Sequence, residues 1–303
     1  MNDATPGTLP ENADTPAGFA YALAAYLMWG ALLPIYMKAL SHVPAVEVIA
    51  HRVVWSLPIA AAVLIVTRRM DALRVALASR RTLAMAAVTA TLVSANWGIY
   101  VWAIGSGHAL DAALGYYINP LFSVLLGAVL LRESLGRLQI AALCLAGAAV
   151  LALTLEGGRV PWVALGLTLT WGLYAYFKKS LPVGPNQGFF LEVLLLTPPA
   201  LIWIIWLTYS GQSHFGGSSS DVLLLIGCGL VTAVPLITYA NAAKLLRLST
   251  IGIMQYIAPT MVFLTAIVLF GEPLDRARMI AFPLIWAALL LYSLPLLRQM
   301  RRA

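Results

Sequence analysis

Charge is what this chain has least of. Only 10% of its 303 residues are charged against 61% hydrophobic, and the mean hydropathy is +0.87. So little charge excludes an ordinary water-soluble domain and calls for an all-α integral membrane protein with several spans. Cysteine is as scarce. Cys144 and Cys228 lie in separate apolar runs, which excludes a disulfide framework and a thiolate metal site. Also absent are a His-Glu-x-x-His motif, paired intramembrane aspartates, a Gly-x-Ser-x-Gly elbow and a phosphate-binding loop. With loops this short, a membrane-embedded enzyme is the weaker reading, and no catalytic residue, metal or cofactor is expected. The net charge of +7 forms no patch or stripe, so no nucleic-acid partner is expected; the partners are the lipid bilayer and a small-molecule solute.

Apolar runs long enough to cross about 30 Å of hydrocarbon fall near 17–37, 46–66, 83–104, 110–130, 137–155, 161–177, 188–208, 221–242, 249–269 and 276–297. This predicts ten transmembrane helices. The second is the least regular, because Glu47, His51 and Arg52 load its first two turns. Residues 1–16 read as a disordered acidic tail, and 298–303 as a basic one. Nearly all Lys and Arg fall in loops that share a side with the termini, and only Lys38, Arg159, Arg276 and Arg278 fall opposite. The positive-inside rule then predicts cytoplasmic termini in a bacterial-type inner (plasma) membrane.

The chain repeats itself. Tyr117-Ile118-Asn119-Pro120 with Glu133 thirteen positions on is echoed by Tyr256-Ile257-Ala258-Pro259 with Glu272 thirteen positions on. Trp29-Gly30 matches Trp171-Gly172, and Pro58 matches Pro199. Residues 17–155 and 156–297 are therefore two five-helix repeats. Five is odd, so the second enters the membrane from the other side: an inverted repeat, the architecture of carriers that alternate access around a central site. Pro120 and Pro259 are expected to break their helices near the midplane, freeing the carbonyls of Tyr116 and Gln255. Asn96, Tyr116, Tyr117, Asn119, Gln255 and Tyr256 are the candidate substrate-binding residues, combining hydrogen-bonding tips with apolar bodies; for Asn96 a structural role between helices ranks first.

Charged residues inside spans need a reason, since each costs about 2.5–3.5 kcal/mol at a helix centre. His51 and Arg52 are placed towards the external end of the second helix and Glu192 towards the cytoplasmic end of the seventh. Two alternating gates are predicted: Arg52 with Asp111 outside, and Glu192 with Lys244 or Arg247 inside. Snorkelling of Arg52 beside Glu47 is the competing reading. If protons drive transport, Glu192 or His51 is the candidate carrier. Glu133 and Glu272 are expected to be solvated, pairing with nearby arginines. Small residues (Gly127, Ala141, Gly147, Ala148) permit close helix approach within a monomer or across a homodimer.

The run Glu47-Val48-Ile49-Ala50-His51-Arg52-Val53-Val54-Trp55-Ser56, then Asn96-Trp97, Leu114-Gly115-Tyr116-Tyr117-Ile118-Asn119-Pro120-Leu121, Arg247-Leu248-Ser249-Thr250, Gln255-Tyr256-Ile257-Ala258-Pro259-Thr260 and Gly271-Glu272 resembles the RarD-like branch of the EamA type of the drug/metabolite transporter superfamily. The resemblance covers nearly all of 17–297. It implies ten helices, cytoplasmic termini, an inner-membrane location and export of small organic molecules, with metabolites, amino acids and amphenicol-like drugs as candidates. A channel or lipid scramblase is the alternative that a polar midplane would also serve.

Overall fold

In lipid the backbone must satisfy its own hydrogen bonds, and continuous apolar runs of about twenty residues do so as helices. The computed structural model describes residues 14–300 except 131, 133 and 134, and leaves out the side chains of 71, 72, 244, 248, 249 and 295–300. The predicted pairing of Glu133 thus lies outside the described residues, as do residues 1–13 and 301–303. In chain order the helices are α1 (Pro16–Leu27), α2 (Leu33–Ala39), α3 (Ala45–Val66), α4 (Met70–Ala78), α5 (Arg80–Gly105), α6 (Ala109–Leu130), α7 (Arg137–Gly157), α8 (Trp162–Ser180), α9 (Pro185–Tyr209), α10 (Ser219–Leu245), α11 (Leu248–Met254), α12 (Ile257–Leu264) and α13 (Arg276–Met300). A π-helical turn, Met28–Leu32, joins α1 to α2, and another, Thr265–Leu269, extends α12.

Among the described residues nine helical segments are long and apolar enough to cross a membrane. The ten predicted runs all become helices, but α8 does not meet that apolar standard, because its 19 residues end on Lys178 and Lys179. α4 is a short addition between two of the spans. The predicted basic tail is helical as far as Met300, since nothing before that point stops α13. The N-terminal boundary also shifts. The Thr15 side chain accepts from Gly18 N at 3.1 Å as the cap of α1, and Asp14 accepts from Arg247 N and Thr250 Oγ1, each at 2.8 Å.

The proline expectation holds for one copy only. Around Pro259 the helix is interrupted: α11 stops at Met254 and α12 starts at Ile257, with Gln255 and Tyr256 between them. Around Pro120, α6 runs unbroken from Ala109 to Leu130. A single proline removes one rung of the ladder, and the rest of the ladder carries the helix past it.

Close packing comes from small residues, as expected where helices meet without a hydrophobic driving force. Gly30, in the first π turn, lies against the Ala258 carbonyl and Met261, and Gly172 on α8 lies against Phe122. Gly115 on α6 meets the Ala164 carbonyl, and Gly229 on α10 meets the backbone of Trp55. α7 and α13 join through Ala142, Ala146 and Ala149 on one side and Ala277, Ala281 and Ala288 on the other, all buried. Of the small residues singled out in the sequence, Gly147 and Ala148 face outwards on the opposite side of α7. The centre is built where α3 packs on α9 and α10, α5 on α8 and α9, and α6 on α8 and α12.

Candidate functional site

The first two turns of α3 carry the residues that looked least suited to a membrane, and each has gone inwards. Glu47 is fully buried, accepting from Ser213 Oγ (3.2 Å), His214 N (2.8 Å) and His214 Nδ1 (2.7 Å). These bonds pin the loop between α9 and α10 onto α3. Phe215 from that loop stacks on His51 with centroids 4.8 Å apart, and the Trp55 indole N–H lies 3.3 Å from His51 Nδ1. His51 is therefore covered by the loop.

Arg52, one residue on, points into the bundle and is 4% exposed, so it does not snorkel. Its Nε donates to Thr232 Oγ1 at 2.7 Å, and Thr232 in turn donates to the Cys228 carbonyl at 2.8 Å. The guanidinium carbon lies 4.2 Å from the centroid of the Trp97 ring, and Nη1 is buried with no hydrogen-bond partner among the described residues. A desolvated cation over an indole gains about 2 kcal/mol or more, well short of the several kcal/mol that burying an ion costs. The predicted partner is elsewhere: Asp111 binds Arg278, with Nε and Nη2 each 3.1 Å from Oδ1, because α13 rather than α3 passes the start of α6. The Arg52–Asp111 gate is therefore absent from this structure.

From Arg52 an aromatic row leads through the protein. Tyr100 lies one turn of α5 beyond Trp97, and its hydroxyl is buried and unpaired. Its ring is 5.8 Å from that of Tyr116, which meets Trp171 edge-on at 6.4 Å; Trp171 leans on Tyr174 at 5.4 Å. The Tyr174 hydroxyl then donates to Glu192 Oε2 at 3.2 Å. Glu192, 1% exposed, takes Lys178 Nζ on its other oxygen at 2.6 Å. Among the described residues the partners of Glu192 are thus Lys178 and Tyr174, where the sequence suggests Lys244 or Arg247. By the topology Lys178 falls with the basic loop residues on the side of the termini, yet it folds back against its own helix's aromatic face, 5.4 Å from the Tyr174 ring. The Lys244 side chain lies outside the described residues, and the Arg247 N–H is held by Asp14.

The residues grouped around the two prolines divide between two faces of α6. Tyr116 and Asn119, three apart, share one face. Asn96 is fully satisfied there, donating to the Leu167 carbonyl (3.2 Å) and Thr170 Oγ1 (2.9 Å) and accepting from the Tyr116 hydroxyl (3.2 Å). It joins α5, α8 and α6. Asn119 Oδ1 is buried without a partner. Tyr117 turns the other way, to Thr260 Oγ1 at 2.7 Å and the rings of Phe282 and Trp286. Tyr256 is half-buried beside the break, and Gln255 Nε2 bonds the Gly252 carbonyl at 3.0 Å. Tyr117 thus ties the two proline motifs together, and the tyrosine before it faces the Arg52 row.

Glu272 reverses its prediction. It is 8% exposed and not solvated, with one oxygen on Ala109 N (2.7 Å) and the other on Leu110 N (2.9 Å), capping α6. Arg276 reaches Glu156 at 3.8 Å. Sequence reasoning missed Tyr100, Trp171, Tyr174, Lys178 and Thr232 as residues of the site. The signal available was spacing: Trp97 and Tyr100 are three apart on α5, as are Trp171 and Tyr174 on α8.

Residues 16–155 match the EamA-like transporter family. An uncharacterised transporter of Vibrio cholerae serotype O1 is 41% identical over 285 residues, covering 94% of each chain. Protein RarD of Escherichia coli K12 is 37% identical over 289 residues, covering 95% of this chain and 97% of that one. A solved crystal structure with 20% sequence identity superposes with a TM-score of 0.56 over 93% of this chain and 98% of its own, a likeness of fold alone.

Proposed function

This chain belongs to the EamA-like transporter family, in its RarD-like branch, and on that premise we propose that it exports small amphipathic organic molecules by alternating access around the Arg52–Tyr116 row. It is a multi-pass membrane transporter. The observation that carries the finer reading is Arg52: a charge buried between α3, α5 and α10 with an unpaired Nη1, beside an unpaired tyrosine hydroxyl. A buried polar group needs a partner, and the described side chains and backbone supply none to these two.

Support for two inverted repeats comes from the packing. Exchanging the first five long helices for the second five leaves the contacts unchanged in kind: α1 on α10 becomes α8 on α5, α3 on α10 becomes α9 on α5, and α6 on α8 becomes α12 on the first π turn. The pairs α3–α9, α6–α12 and α7–α13 map onto themselves. Gly30 against Met261 and Gly172 against Phe122 are counterparts under the same exchange. On this reading α8 is the tenth crossing, the plasma membrane holds the protein, and both termini are cytoplasmic. The end built from Glu47, Phe215, Asp111–Arg278 and Glu272 is the closed external side, and Lys178–Glu192 stands at the cytoplasmic mouth.

Counterflow in proteoliposomes tests this with radiolabelled amphenicols, aromatic amino acids and aromatic acids as a panel. Saturable uptake of at least one, accelerated by the same unlabelled compound inside and lost in Arg52→Ala, is expected of a carrier. Non-saturating flux in both directions would instead assign a channel.

A further inference from the structure

The identity of the solute's charged group can be read from what surrounds Arg52, and this step rests on the site just described. Thr232 occupies Nε, Trp97 covers a face of the guanidinium, and Nη1 remains a buried donor without an acceptor. The Tyr100 hydroxyl, one turn of α5 beyond the Trp97 ring on which Arg52 lies, is a second buried group without a partner among the described residues. Both groups are more than nine-tenths buried. Two donors beside one uncompensated positive charge suit an acceptor-only, negatively charged group, and a guanidinium edge suits a carboxylate in particular.

The second half of the argument is the supply of acids. Among the described residues every buried carboxylate is already committed: Glu47 to Ser213 and His214, Glu192 to Lys178 and Tyr174, and Glu272 to the start of α6. Asp111 is held by Arg278, and Asp221 lies 2.9 Å from His42. None of them faces Arg52 to receive an ammonium. An amino acid would bring its own cation next to an unpaired guanidinium, and an amine would bring only repulsion. The body of the solute would meet aromatic faces, Tyr100 and Tyr116.

We propose that the carried solute is a small organic monoanion, a carboxylate on an aromatic or apolar body with no amino group, held by Arg52 and the Tyr100 hydroxyl. The test uses four probes of nearly one shape on the full-length protein in nanodiscs: 3-phenylpropanoate, its amide 3-phenylpropanamide, phenylalanine and phenethylamine. Binding is read by tryptophan fluorescence and thermal shift. The acid is expected to bind at least about tenfold more tightly than each of the others, since charge-assisted bonds are about twice as strong as neutral ones. Arg52→Lys should weaken the acid at least about tenfold and leave the amide within about twofold. The comparison among probes is made on the unaltered protein, so it stands even if Arg52→Ala fails to fold. Equal binding of acid and amide, preference for phenylalanine, or binding of none of the four would overturn the monoanion. The carrier reading would survive each of these if any member of the panel shows saturable counterflow.

Discussion

Removing the Glu272 carboxylate should loosen the start of α6 by a calculable amount. Each oxygen takes one backbone N–H, Ala109 at 2.7 Å and Leu110 at 2.9 Å, and the carboxylate is 8% exposed. In Glu272→Ala both donors lose their acceptor, and a buried unsatisfied N–H costs about 1–3 kcal/mol. Loss of the anion at a helix N-terminus adds roughly 0.5 kcal/mol. Part of the total is returned because no carboxylate need then be dehydrated, leaving a net loss of about 2–4 kcal/mol. For a chain of this size each kcal/mol moves the midpoint by about 2 °C, so the melting temperature should fall by about 4–8 °C. Glu272→Gln keeps one acceptor and turns an N–H group towards the other donor, and should fall roughly half as far. Differential scanning fluorimetry in detergent at one fixed scan rate reads this, with Glu156→Ala as the control. Glu156 meets Arg276 only at 3.8 Å on an exposed surface, a pair worth about 0–1 kcal/mol. If Glu272→Ala melts within 1 °C of the control, or the glutamine variant falls as far as the alanine one, the capping argument is wrong.

Removing Lys178 from its pair with Glu192 should cost about 3–5 kcal/mol, because the Glu192 charge stays buried; Lys178→Met with Glu192→Leu should recover most of that in the same melting assay. Gly30→Ala drives a methyl into the Ala258 carbonyl and Met261 and should cost at least about 2 kcal/mol, whereas Gly147→Ala, with open space around it, should be neutral or slightly stabilising. Asn96→Ala strands the Tyr116 hydroxyl and should destabilise by about 2 kcal/mol. Asn119→Leu removes a carbonyl oxygen that has no partner, so it should leave the melting temperature level or raised while altering solute affinity in a transport assay.

What could be read in advance was depth. Hydropathy placed the helices and the repeat located the prolines, because both depend on distance along a helix axis. Direction around that axis was not legible. Arg52 and Asp111 were paired because both lie near one membrane face, yet the helix that reaches Asp111 is α13, 167 residues along the chain from it. Lys178 counts by position with the basic loop residues, and nothing in its spacing tells that it folds back onto Tyr174 and Glu192. Glu272 was expected in water because arginines follow it, but those arginines take Glu156, Asp275 and Asp111 instead. The two proline motifs look alike in sequence and differ in backbone: the first sits inside a long helix, the second opens the short helix α12 just after a break.

The π turn at Met28–Leu32 makes α1 and α2 one rod in two phases. A π turn holds one residue more than an α turn, and one residue is about 100° of rotation. Everything after Leu32 is therefore rotated relative to what α1 would have presented, and that rotation brings the Tyr36 hydroxyl to the Leu224 carbonyl and Lys38 to the face of Phe270. Winding the same five residues as a regular α-helix would turn everything after Leu32 by about 100° and carry Tyr36 and Lys38 away from both partners at once. Deleting one residue of the turn would instead give a regular helix that keeps their direction, so the register of this helix is a property of one turn and not of its length.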